Sequence, residues 1–139
     1  MIELDNRTSL HVNTPLFEKI TQSLTDKEIE LIITTDTEIQ EINAAHRGIN
    51  KATDVLSFPY EPMPMSPLGS IVISEEFVKN RAKMLGHSND DEMALLFIHG
   101  VLHLLGYDHE IDNGEMQEKE AALIKEWQLP TSLIVRTEG

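Results

Sequence analysis

The sequence predicts an α+β fold in one layered domain spanning residues 1–139. Three observations predict it. Strand-like segments come early in the chain and helices late, joined by mixed connections. The stretch from Met93 to Leu105 is apolar nearly all round, the pattern of a helix inside a core. A chain of 139 residues with 40% hydrophobic content has enough apolar mass for one core and little to spare. No repeat, low-complexity tract or linker interrupts it.

Thr14-Pro15 reads as an N-cap and a proline at the first helical position, opening a helix to about Leu24. Glu28 to Thr35 (EIELIITT) is strand-like, rich in isoleucine and threonine. Asp36 or Thr37 caps a second helix, with Ile39 and Ile42 on its apolar side and Gly48 past its end. Val55-Leu-Ser-Phe58 is a short strand bounded by Pro59. Glu61 to Pro67 holds three prolines and reads as a surface loop. Ser70-Ile-Val-Ile73 is the next strand. Ser74 caps a third helix whose Val78, Ala82 and Leu85 form one stripe, ended by Gly86. Ser88 or Asn89 opens the fourth, with Asp90, Asp91 and Glu92 placed against its positive N-terminus. A last amphipathic helix covers about Glu115 to Glu126. The tail holds Pro130 and a strand-like Leu133-Ile-Val135.

Composition narrows the chemistry. There is no cysteine, so a metal would rely on histidine and carboxylate. No apolar run approaches membrane-spanning length, and the N-terminus lacks a basic leader region, so a soluble cytoplasmic protein is expected. The formal net charge of −13 repels nucleic acid and anionic membranes at long range. Positive charge is local. His46-Arg47-Gly-Ile-Asn-Lys51 carries Arg47 and Lys51 without an acid, and Lys79-Asn-Arg81-Ala-Lys83 carries three cations without one. Ordinary solvated surface is the plainer reading of both.

The run His99-Gly-Val-Leu-His103-Leu-Leu-Gly106-Tyr-Asp-His109 carries the chemistry. A helix places His99 and His103 on one face, a turn apart. Gly106 can adopt the left-handed conformation that stops the helix and swings His109 back. Two ligands on a rigid helix and one after a turn suit zinc, which takes imidazole nitrogen at about 2.0–2.1 Å and in catalytic sites keeps one position open. Unrelated histidines are the alternative. Burying unpartnered imidazoles in the most apolar helix would cost on the order of 1–3 kcal/mol each, and a shared ion removes that objection. Asp108 and Glu110 flank His109 and suit contacts behind the ligands or plain solvation. His11, His46 and His87 are isolated and expected on the surface or in loops.

The residue after the first histidine decides what the site can do. In metzincin peptidases it is a glutamate base; here it is Gly100. Peptidase chemistry is therefore disfavoured, and metal hydroxide or a base from another segment must serve instead. Phosphodiester hydrolysis would also need positive charge on the developing phosphorane, which the planar fork of arginine supplies. Arg47 is the best-placed candidate, in the basic loop leading into Thr53-Asp54-Val-Leu-Ser-Phe58; a surface salt bridge is its plain alternative.

These residues together resemble the YbeY family of bacterial endoribonucleases. The resemblance rests on the three-histidine run, on Asn43 and Arg47 ahead of Thr53-Asp-Val-Leu-Ser-Phe-Pro59, and on Leu68-Gly-Ser-Ile-Val-Ile-Ser74, all in the family's order. It implies a small mixed sheet packed against helices, with a zincin-like three-histidine metal site in a surface cleft. It implies one Zn2+ on His99, His103 and His109, other divalent ions being able to use the same donors, and a catalytic role for Arg47. Lys51, Lys79, Arg81 and Lys83 are further candidates for substrate contact. The implied activity is metal-dependent cleavage of single-stranded RNA in 16S ribosomal RNA 3′-end maturation and ribosome quality control. The implied partners are the 16S rRNA precursor, the small ribosomal subunit, its protein uS11 and the GTPase Era. One position departs: the family usually has aspartate where this chain has Ser70, which would weaken any metal or substrate contact made there. A non-catalytic, metal-stabilised ribosome assembly factor is the competing reading.

Overall fold

The computed structural model describes residues 2–108 and 110–130; the strand expected at 133–135 and His109 lie outside the described residues. The elements run β1 (Ile2–Asn6), α1 (Thr14–Leu24), β2 (Ile29–Thr34), α2 (Asp36–Arg47), β3 (Val55–Pro59), β4 (Gly69–Ser74), α3 (Glu75–Leu85), α4 (Asn89–Leu104) and α5 (Glu115–Glu126). The strands form one mixed sheet in the order β1-β2-β4-β3. β1 and β4 both pair with β2 in parallel, and β3 pairs with β4 antiparallel.

Alternation along the strands sorts side chains onto two faces. Ile29, Leu31 and Ile33 of β2 and Ile71 and Ile73 of β4 join the larger apolar cluster, with Phe17 and Ile20 of α1, Val78 of α3 and much of α4. The intervening Val72 of β4 and Leu56 of β3 meet Ile39 of α2 on the other face, with Ile32, Ile42 and Phe58 packed alongside. The sheet is thus covered on both sides. All six residues of β4 are buried, the signature of a strand between two layers.

α4 is the core helix that the sequence predicts, with its first-turn acids and the Ser88 cap in place. Elsewhere the local reading needs adjustment. β1 escapes detection because it is short: Ile2-Glu3-Leu4-Asp5 alternates apolar and polar over four residues only, and just Ile2 of the five strand residues is buried. α1 is capped by Asn13, whose side chain accepts from the Leu16 amide, which moves Thr14-Pro15 inside the helix. α2 is capped by Thr35, not Asp36 or Thr37; its extended backbone lets its hydroxyl accept from the Glu38 amide. Leu85 is 44% exposed and leaves the stripe of Val78 and Ala82, because the last turn of α3 overruns the edge of the core.

Candidate functional site

His99 and His103 converge as helical spacing requires. Their Nε2 atoms are 3.2 Å apart, and the rings meet edge to face with centroids 4.7 Å apart. Each ring is held from its other nitrogen. His99 Nδ1 lies 2.9 Å from Oε2 of Glu120 on α5, and His103 Nδ1 lies 3.1 Å from the Tyr107 carbonyl. A carboxylate and a carbonyl can only accept, so both Nδ1 atoms carry the proton. In that tautomer the Nε2 lone pairs face one another.

The turn after α4 supplies the second of these acceptors. Gly106 has φ +99°, a left-handed conformation that glycine adopts without a Cβ clash. Its amide bonds the His103 carbonyl, and the Tyr107 amide bonds the Leu102 carbonyl. That wrap brings the Tyr107 carbonyl beneath His103.

Two Nε2 atoms so placed form a donor pair that a metal ion or a shared proton would bridge. Two corners of a tetrahedron with arms of about 2.0–2.1 Å are about 3.3–3.4 Å apart. The 3.2 Å separation therefore fits two zinc ligands, as does a donor set of neutral imidazoles backed by acceptors. Among the described residues no group of three His, Cys, Asp or Glu could hold a metal ion; the third expected ligand, His109, lies outside them. Asp108 is turned into the local chain, its Oδ1 accepting from the Glu110 amide at 3.0 Å.

Gly100 sits between the histidines and faces the sheet. A Cβ there would lie 3.1 Å from two carbons of Ile71 and 3.2 Å from Ser57 Oγ. The Ser57 hydroxyl donates to the Gly100 carbonyl at 3.3 Å, tying α4 to β3. Glycine at this position lets the helix approach the sheet closely, beyond merely omitting a base.

Arg47 ends α2, on the opposite layer from α4, rather than lying in a loop. The neighbouring His46 packs its ring 5.2 Å from that of Phe58, and Phe58 follows Ser57 on β3. Buried Asn43 holds the chain beyond the helix by donating from Nδ2 to the Lys51 carbonyl at 2.9 Å. Arg47 and Lys51 are exposed, and no salt bridge among the described residues involves Arg47. Lys79, Arg81 and Lys83 lie on α3, which packs against α4. Lys79 pairs with Glu75 at 3.6 Å, and Arg81 stacks over Phe77 at 5.5 Å.

Three sequence expectations are corrected or extended. His87 is not isolated: its Nε2 lies 2.7 Å from Oε1 of Glu92, with side chains only 8% and 0% exposed. Ser70 does not face the histidines. It shares the face of Val72, away from α4, and in register lies between Glu30 and Phe58. Serine in place of the family aspartate therefore leaves the histidine pair untouched. Glu120 was missed, although a signal existed. It falls on the stripe of Met116, Leu123 and Ile124, a carboxylate at an apolar position of α5, and is 1% exposed.

Comparison with known proteins gives a consistent result. A family model described as Endoribonuclease YbeY matches residues 4–128. A Sulfurimonas denitrificans protein named Endoribonuclease YbeY is 64% identical over 139 residues, covering all of both chains. A Helicobacter pylori protein of the same name is 54% identical over 139 residues, 99% of each chain. The solution structure of a Thermotoga maritima protein superposes with a TM-score of 0.63 at 29% identity, covering 91% of this chain and 89% of that one.

Proposed function

This chain belongs to the YbeY family of endoribonucleases, and on that premise we propose that it cleaves single-stranded RNA in a metal-dependent reaction during 16S ribosomal RNA 3′-end maturation. The observation that carries the reading is the pair of Nε2 atoms 3.2 Å apart on α4, each ring secured through Nδ1. In this reading the whole of residues 1–139 acts as one domain in the cytoplasm. Its substrate is the 16S rRNA precursor on the small ribosomal subunit, with uS11 and Era as partners.

His99, His103 and His109 would hold one Zn2+ or a similar divalent ion. When bound, the ion supplies Lewis acidity toward a phosphoryl oxygen and acidifies water. The residues of the chain do the rest. Arg47, which makes no salt bridge among the described residues, presents its fork to the phosphate and stabilises the charge that develops in the transition state. Lys51 adds charge beside it. α4 offers no base beside the first histidine, since position 100 is glycine, and Glu120 of α5 is engaged with His99 Nδ1. A water or the 2′-hydroxyl of the RNA itself would serve as the attacking group, and in either case hydroxide generated at the site or a group from another segment would take the proton.

The net charge of −13 favours a second reading, a non-catalytic assembly factor that uses the metal for stability. Cleavage of a single-stranded RNA by purified protein, with and without chelator, separates the two. Arg47→Ala and His103→Ala are each expected to lower metal-dependent cleavage by about 10²–10³-fold. Trace cleavage that persists unchanged in both variants, and in chelator, would favour the assembly factor.

A further inference from the structure

We propose that Glu120 is a positioning residue of the metal centre: from α5 it fixes the tautomer of His99 and couples docking of that helix to metal binding. The inference rests on the metal reading above. It starts from the 2.9 Å contact between His99 Nδ1 and Glu120 Oε2, joining residues 21 positions apart on two different helices.

Two physical arguments meet there. The first concerns the proton. With a carboxylate as acceptor, Nδ1 keeps the hydrogen and Nε2 keeps the lone pair, and it is Nε2 that faces His103. The Tyr107 carbonyl does the same for His103 from the turn after α4; Glu120 does it for His99 from a different helix. The second concerns charge. Glu120 is only 1% exposed, and a carboxylate so buried gains from a cation nearby. A divalent ion on the far side of His99 makes the imidazole more positive, so ion and carboxylate favour one another through the ring.

The placement gives Glu120 a mechanical consequence. α5 docks through Met116, Leu123 and Ile124, and Glu120 is the buried polar residue in that stripe. The segment carrying His109 joins α4 to α5. A metal on the three histidines would thus hold α4 directly and α5 through Glu120, at both ends of the connecting segment. Metal binding should therefore protect α5.

The test uses the full chain and zinc. Zinc affinity is measured by competition with a chromophoric chelator in the parent, Glu120→Gln, Glu120→Asp and His103→Ala. Amide exchange of α5 is followed with and without zinc. In Glu120→Gln the amide nitrogen competes to donate to Nδ1, favouring the tautomer whose Nε2 is protonated. Affinity is expected to fall about 10–100-fold, with partial recovery in Glu120→Asp, and zinc-dependent protection of α5 is expected to disappear. A purely structural Glu120 would lower the melting temperature of the metal-free protein and leave zinc affinity within about threefold of the parent. That result would overturn the positioning role and leave the metal reading standing. A parent that bound no zinc would overturn both.

Discussion

Position 100 is the sharpest place to test why this histidine helix is not that of a peptidase. Restoring the missing base as Gly100→Glu requires a side chain to leave α4 toward Ile71 and Ser57. The Cβ alone would sit 3.1 Å from two atoms of Ile71, itself 0% exposed, and 3.2 Å from Ser57 Oγ. For Gly100→Ala, a helix-propensity gain of about 1 kcal/mol opposes an overpacking loss of about 1–3 kcal/mol, leaving a net loss of roughly 0–2 kcal/mol. Gly100→Glu adds further heavy atoms and a charge whose burial costs several kcal/mol after relaxation, so its loss should exceed about 4 kcal/mol. That approaches the whole stability of many small domains, roughly 5–15 kcal/mol. Urea unfolding of metal-free parent, Gly100→Ala, Gly100→Gln and Gly100→Glu measures both parts, glutamine separating volume from charge. Glutamate is expected to be the least stable and to have no peptidase activity. A glutamate variant within about 1 kcal/mol of the parent would mean that α4 does not pack as described, and the steric explanation for the missing base would fail.

Two further perturbations test the scaffold. Gly69→Ala would place a Cβ 2.5 Å from the Phe58 carbonyl oxygen and 2.6 Å from Leu104 Cδ2, and should destabilise by about 3 kcal/mol. Combining it with Leu104→Ala should give no rescue, because the closer clash is with backbone; recovery in urea unfolding would contradict this. Glu38 is held below the ordinary glutamate range by the Thr34 hydroxyl first and by Arg7 second, whose Nη1 is 2.6 Å from Oε1. A depressed carboxylate contributes stability above its unfolded pKa and loses it as pH falls through the folded one. The parent should exceed Glu38→Gln by under about 1 kcal/mol at pH 7, given the solvent exposure of the pair. The gap should close below about pH 4, and a gap that widened on acidification would refute the assignment.

The parts of the molecule legible in the sequence are those where one local rule suffices. The all-apolar run of α4, its Ser88 cap and the Gly106 stop follow from composition and turn chemistry, and each is present. The convergence of His99 and His103 follows from spacing alone. Features set by tertiary contact were not legible. β1 alternates apolar and polar only over Ile2 to Asp5, too short a run to stand out, and its pairing with β2 makes it a strand. His87 looked isolated because its partner Glu92 is buried across a helix start, and Glu120 looked like one more acid on a surface helix. A charged residue at an apolar position of an amphipathic helix is readable in the sequence, but which ring it meets depends on how α5 packs on α4. The layer holding Arg47, and the face chosen by Ser70, likewise depend on a register that only the assembled sheet defines.

Edge strand β3 is where the two halves of the proposed site meet, and it also bears on the charge of −13. Phe58 packs beside His46 on the α2 side, while Ser57, pointing the other way, bonds the Gly100 carbonyl on the α4 side. A phosphodiester engaging both Arg47 and the histidines would lie along the outer edge of β3. At the far edge of the sheet, β1 places Glu3 in register with Glu30 of β2. There Glu3 is pushed above its ordinary range by a hydrogen bond with Glu28 and then by the charges of Glu28 and Glu30. Three inter-strand spacings of about 4.8 Å separate the edges, about 14 Å in all. That exceeds the Debye length of about 8 Å at physiological ionic strength. Screening over that span separates Glu3 from the β3 edge, but Glu30 lies closer, its Oε2 accepting from the hydroxyl of Tyr60 just past β3 at 2.6 Å, so in the proposed reading Arg47 and Lys51 would have to hold RNA by local contact.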